Sequence, residues 1–91
     1  MAIARRLFIS GQVQGVGFRY FAQRIAARHQ VRGYVKNLPD GRVEAFVQGI
    51  ESAVTGFIHD VAAGPRYSNV TGLEELVVEP KKEYSTFRID E

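Results

Sequence analysis

The chain has 91 residues, 45% of them hydrophobic, and a net charge of +2, which is the size and composition of one small globular domain. It contains no cysteine, which excludes a disulfide framework and a cysteine-bound zinc and is compatible with a reducing, cytoplasmic setting. No apolar run approaches the roughly 20 residues of a membrane span, Arg5-Arg6 breaks the continuity that a signal peptide needs, and so mild a basic excess does not by itself argue for nucleic acid.

Ile3, Leu7 and Ile9 share one face of an alternating run, with Arg5 the exception and Phe8 opposite, so residues 3–10 read as a strand. A glycine-rich loop follows. Phe18, Phe21, Ala22, Ile25 and Ala26 then recur at three- and four-residue spacing, which predicts a helix over 18–30 with one apolar stripe. Val31 to Leu38 reads as a second strand. Leu38-Pro39-Asp40-Gly41 is a strong turn, because proline fixes φ and glycine accepts positive φ. Val43, Ala45 and Val47 alternate with Arg42, Glu44, Phe46 and Gln48 in a third strand, so strands two and three should form a hairpin.

Val54, Phe57, Ile58 and Val61 stripe a second helix over 51–63, which Gly64-Pro65 stops. Gly56 inside it costs about 1 kcal/mol relative to alanine. A fourth strand fits within Val70 to Glu79, closed by Pro80, and Thr86 to Ile89 can form a short last strand. Each helix has one apolar face, so both should pack side by side on one face of the sheet. Right-handed crossovers then favour an α+β fold, a ferredoxin-like βαββαβ sandwich with an antiparallel sheet.

The chemistry concentrates in Gly11-Gln12-Val13-Gln14-Gly15-Val16-Gly17-Phe18-Arg19. Glycines let a backbone turn sharply and present its N–H groups. A helix start adds unpaired N–H groups and partial positive charge. Arg19 at its mouth supplies a fork of donors that fits a phosphate. Together these describe an anion cradle for a phosphoryl or similar oxyanion group. The spacing fits neither a Walker A loop nor G-x-G-x-x-G. Asn37, late in strand two, is the polar residue that the expected topology brings near the cradle. Its carboxamide can both accept and donate a hydrogen bond.

Ile9 to Arg19 resembles the first signature of the acylphosphatases, and Gly33 to Val43, continuing to Gly49, resembles their second. Gly64-Pro65 and the chain length fit as well, so the resemblance covers essentially the whole chain. It implies the ferredoxin-like fold and hydrolysis of an acyl phosphate to a carboxylate and inorganic phosphate, with no metal and no cofactor. It also implies Arg19 as the phosphate-binding arginine and Asn37 as the holder of the attacking water. The expected substrate-binding backbone comprises Gln14, Gly15, Val16, Gly17 and Phe18. Many relatives end in or near an aromatic residue, whereas this sequence reads Phe87-Arg88-Ile89-Asp90-Glu91, which puts any contact between such an end and the site in question.

An acyl phosphate has a carboxylate leaving group with a pKa of about 4, so it departs without a general acid. A site without a catalytic histidine or carboxylate therefore suffices if it holds the phosphoryl group and aims a water in line. The water's proton is expected to pass to a phosphate oxygen. Other functions use the same architecture. RNA-recognition domains display aromatics on this kind of sheet, and Arg32-Gly33-Tyr34-Val35 starts like one of their motifs. Lys36 then stands where an aromatic belongs. A phosphate-binding or carbamoyl-phosphate-handling domain is a further alternative. The expected state is a cytoplasmic monomer acting on a small acyl phosphate, with no membrane or nucleic-acid partner. His29 and His59 read as structural or exposed, Lys36 as solvated, and Tyr34, Phe46, Phe57 and Phe87 as packing residues.

Overall fold

The structure is a computed structural model describing residues 2–90. Its elements are β1 (Ala2–Gln12), α1 (Phe18–His29), β2 (Arg32–Asn37), β3 (Val43–Ile50), α2 (Glu51–Ala63), β4 (Asn69–Val78) and β5 (Phe87–Asp90). The sheet runs β4-β1-β3-β2-β5. The expected antiparallel arrangement holds for β1 to β4, while β5 adds a parallel fifth strand beside β2. The first strand is longer than its alternation predicts. Gly11 and Gln12 stay paired with β4 across an irregularity in register, so the loop starts only at Val13.

Both helices lie on one face of the sheet. The stripe Phe18, Ala22, Ile25 and Ala26 of α1 meets Val54, Phe57 and Val61 of α2 over Leu7, Ile9, Val35, Val43, Ala45 and Val47 of the strands. Phe18 and Phe57 are wholly buried, and burying such side chains contributes about 1.5–3 kcal/mol each. The C-terminus of α1 closes on Gln30, whose left-handed backbone turns the chain so that the Val31 N–H donates to the Ala26 carbonyl at 3.1 Å. That geometry ends the helix one residue before its predicted limit.

Strand β3 is buried on both faces from Val43 to Gln48. The second face is covered by the connection from β4 to β5. Tyr84 from that connection packs on Tyr34 and Phe46, with ring centroids 5.9 and 5.2 Å away. Gln48 anchors the same segment: its Nε2 donates to the Lys81 carbonyl and the Lys81 N–H donates to its Oε1, both at 2.7 Å. Nearby, the Tyr34 hydroxyl donates to the buried Glu44 carboxylate, which also faces Arg6 and Lys36 at 3.8 and 3.9 Å. Burial, then the hydrogen bond to Glu44, push the Tyr34 hydroxyl above the usual tyrosine range. Lys36, read from sequence as solvated, is thus tied to this cluster.

Gly33 sits where two backbones touch. Its φ is +144°, and a Cβ there would overlap the Phe46 carbonyl oxygen. Gly33→Ala is therefore expected to lower unfolding free energy by about 3 kcal/mol or more in urea titration.

Between the helices, His29 Nε2 lies 2.8 Å from Asp60 Oδ2. Gly56 leaves room for the ring, since a Cβ at that position would come within 2.7 Å of His29 Cε1. The glycine inside α2 thus has a packing reason. The hydrogen bond from His29, with the charges of His29 and Arg28, lowers the Asp60 pKa below 3.8. A carboxylate with a depressed folded pKa stabilises the fold above its unfolded pKa, and that contribution is lost as pH falls through the folded value. The melting temperature should therefore drop below about pH 4, and Asp60→Asn should flatten part of that acid limb. Asp40, lowered by its hydrogen bonds to Arg42, supplies a further part.

Candidate functional site

At one end of the sheet, cross-strand pairing sets Ile9, Val43 and Asn37 in a single row. Paired residues on adjacent strands share a face. Asn37 therefore stands two strands away from Ile9, the last residue of β1 paired with β3. On its other side β2 pairs with β5, with Lys36 opposite Asp90. Three segments converge here: the loop after β1, the end of β2 and the end of β5.

The loop turns on Gly15 and Gly17, whose φ angles are +76° and +77°, a region costly for residues with a Cβ. Val13 and Phe18 anchor its two ends in the core. Among the described residues, the first helical N–H to reach a backbone acceptor is that of Phe21, 3.0 Å from the Gly17 carbonyl. The N–H groups from Gly15 to Tyr20 donate to no backbone acceptor among these residues. They remain available to an anion at the positive end of the α1 dipole.

A cavity of about 110 Å³ is lined by Val13, Gly15, Gly17, Phe18, Arg19, Tyr20 and Asn37. Of the residues singled out in the sequence, Gly15, Gly17, Phe18, Arg19 and Asn37 therefore meet at one place. Gln14 and Val16 are in the same loop but do not line the cavity. Tyr20 and Val13 line it without having been singled out. Tyr20 follows Arg19 in the first helical turn, and that position was the available signal.

Arg19 Nη1 donates to the Asp90 carbonyl at 3.3 Å. A backbone carbonyl makes this contact, so it does not depend on an aromatic residue at the end of β5. Asn37 Oδ1 is buried with no hydrogen-bond partner. Leaving such an acceptor unsatisfied costs about 1–3 kcal/mol, a cost expected where a group is held for a ligand.

Gln14 has a different place from the one its loop suggests. Its Nε2 donates to the carbonyls of Leu38 and Arg42 at 2.8 and 2.9 Å. Those carbonyls belong to the β2–β3 turn, which is itself closed by Leu38 and Arg42 at 2.8 Å and by Asp40 and Arg42. One carboxamide thus bolts the glycine loop to the segment that follows Asn37.

The opposite face of the sheet does not offer the stacking platform of an RNA-recognition domain. Tyr34 and Phe46 are covered there by Tyr84. No helix among the described residues is long and apolar enough to cross a membrane.

An acylphosphatase family model matches residues 5–89. An acylphosphatase from Archaeoglobus fulgidus is 44% identical over 87 residues, covering 96% of this chain and 97% of its own. The crystal structure of an acylphosphatase from Bacillus subtilis superposes with a TM-score of 0.93 at 37% identity, covering 100% of both chains. A crystal structure of full-length HypF, in a phosphate- and nucleotide-bound form, superposes with a TM-score of 0.88 at 32% identity, covering 100% of this chain and 12% of HypF.

Gln14→Ala is expected to cost about 1 kcal/mol, because the Leu38 and Arg42 carbonyls keep their other backbone partners. It should also weaken inorganic phosphate binding, measured by calorimetry, since the loop loses its tie to the turn.

Proposed function

The chain belongs to the acylphosphatase family and hydrolyses acyl phosphates, and we propose that Arg19 and the loop backbone hold the phosphoryl group while Asn37 positions the attacking water. The observation that carries this assignment is the convergence of Gly15, Gly17, Arg19 and Asn37 around one cavity. The free N–H groups at the start of α1 support the binding role. The partnerless Asn37 Oδ1 supports the water-positioning role.

In this reading the phosphoryl oxygens accept hydrogen bonds from the loop N–H groups and the Arg19 guanidinium. The Asp90 carbonyl limits where that guanidinium can point. Gln14 contributes through the placement of its loop. A water whose proton points at the Asn37 Oδ1 attacks phosphorus. The bond from phosphorus to the acyl oxygen breaks, and the carboxylate leaves with the electron pair. The water's proton passes to a phosphoryl oxygen, because a carboxamide is too weak a base to keep it. Charge is spread over donors fixed before the reaction, which is where such sites gain most of their rate.

The protein is proposed to act as one domain and as a cytoplasmic monomer, with a small acyl phosphate as substrate and no metal. The chemistry requires none, since the guanidinium and backbone N–H groups supply the charge stabilisation.

The test is hydrolysis of benzoyl phosphate by the purified protein with a metal chelator present. The parent should turn over. Arg19→Ala should lose about a thousandfold in kcat/KM together with phosphate affinity. Asn37→Ala should lose about a hundredfold or more in kcat while inorganic phosphate still inhibits competitively. Normal turnover by a folded Asn37→Ala protein would remove the water-positioning role.

A further inference from the structure

A second, larger cavity of about 660 Å³ adjoins the cradle, and Gly17 belongs to the walls of both. This second cavity is lined by Val16 of the loop, Phe21 of α1 and the turn Pro65-Arg66-Tyr67. Arg24 of α1 and Arg66 of the turn both line it, and no acidic residue does. Among the described residues neither arginine makes an ion pair, in contrast to Arg5, Arg6, Arg28, Arg42 and Arg88.

The walls are well held. Phe21 packs on the wholly buried Phe18 with ring centroids 5.8 Å apart. The turn is closed by the Ser68 N–H and hydroxyl, which donate to the Pro65 carbonyl at 3.1 and 3.0 Å. Tyr67 is 75% exposed, a large aromatic with little chain packed on it. A wider cleft of about 760 Å³ between the helices is lined by Glu51 and Asp60 as well as histidines and shares no residue with the cradle. The arginine-lined cavity is therefore the one whose position and charge suit the remainder of a phosphorylated anion.

We infer that this cavity receives the acyl group, and that Arg24 and Arg66 select acyl phosphates carrying a second anionic group remote from the mixed anhydride. This rests on the cradle binding the phosphoryl end as proposed above. With phosphorus beside Gly17, the acyl chain passes between Val16 and Phe21. Its apolar part lies against Phe21 and Tyr67, and its far anion meets the guanidinium pair. Arginine serves well here, because its charge persists at all relevant pH and its fork matches a carboxylate. Both side chains are solvent-exposed, so selection is moderate and weakens with salt.

The experiment compares kcat/KM for 4-carboxybenzoyl phosphate and benzoyl phosphate at low ionic strength. The parent should prefer the carboxylated substrate. Arg24→Gln combined with Arg66→Gln should lower the ratio of the two values about tenfold, through KM rather than kcat. A control removes two exposed positive charges elsewhere, Arg32→Gln with Lys82→Gln, and should leave the ratio in place. Arg32 lies at the opposite end of β2 from Asn37. A ratio unmoved by the Arg24 and Arg66 changes, or lowered equally by the control, overturns the subsite. Activity on both substrates in those cases leaves the phosphoryl assignment standing. A folded parent inactive on both substrates overturns that assignment and the subsite with it.

Discussion

The register of β3 is the constraint on which the rest depends. This strand lies at the centre of the sheet and is buried on both faces. A slip of one residue would exchange its two faces, moving Val43, Ala45 and Val47 away from the helices and Glu44 and Gln48 into them. The same pairing sets Ile9, Val43 and Asn37 in one row. A choice made by hydrophobic packing thus also decides which residues meet at the end of the sheet. The position of Asn37 needs no device of its own.

Around that frame the site is held by contacts to backbone. Gln14 joins two carbonyls of the β2–β3 turn, and Arg19 reaches the carbonyl of Asp90. Backbone partners are indifferent to the identity of the residues that supply them, so the arrangement tolerates changes in the turn and in β5. The chemistry matches this economy of means. A carboxylate leaving group makes no demand for an acid, and a phosphoryl group already carries the oxygens that can take a proton. What the protein must supply is position and fixed positive charge, and a chain with so small a core can do that.

Much of this was legible in the sequence because local patterns and tertiary packing agree. The alternation in residues 43–48 and the stripes of both helices report one buried face each, and the structure buries those faces. Gly33 falls within the second family signature, and the structure gives it a physical reason, the close approach of the Phe46 backbone. The family signatures also brought Arg19 and Asn37 forward, and the structure has them in one cavity. The second face was less legible. Phe46 and Gln48 look outward by alternation, and only the segment carrying Lys81 and Tyr84 shows why both are buried. Nothing local to Gln14 announces partners at Leu38 and Arg42, since that bond depends on how two distant segments dock. The extension of β1 through Gly11 was hidden for a related reason: its partner Val70 is far away in sequence.

The pairing of β5 with β2 carries a consequence for how the protein is made. Gly33 meets Phe87 and Lys36 meets Asp90, so an early hairpin strand waits for a segment synthesised much later. Until then its outer edge has no neighbour, and Arg19 lacks the carbonyl that orients it. Contacts so distant in sequence slow the search for the native state. An unfinished sheet edge is also exposed to other chains during that interval. The contact between Arg19 and the Asp90 carbonyl therefore joins two segments far apart in the order of synthesis, and the edge of β2 and the orientation of Arg19 are settled by the same docking event.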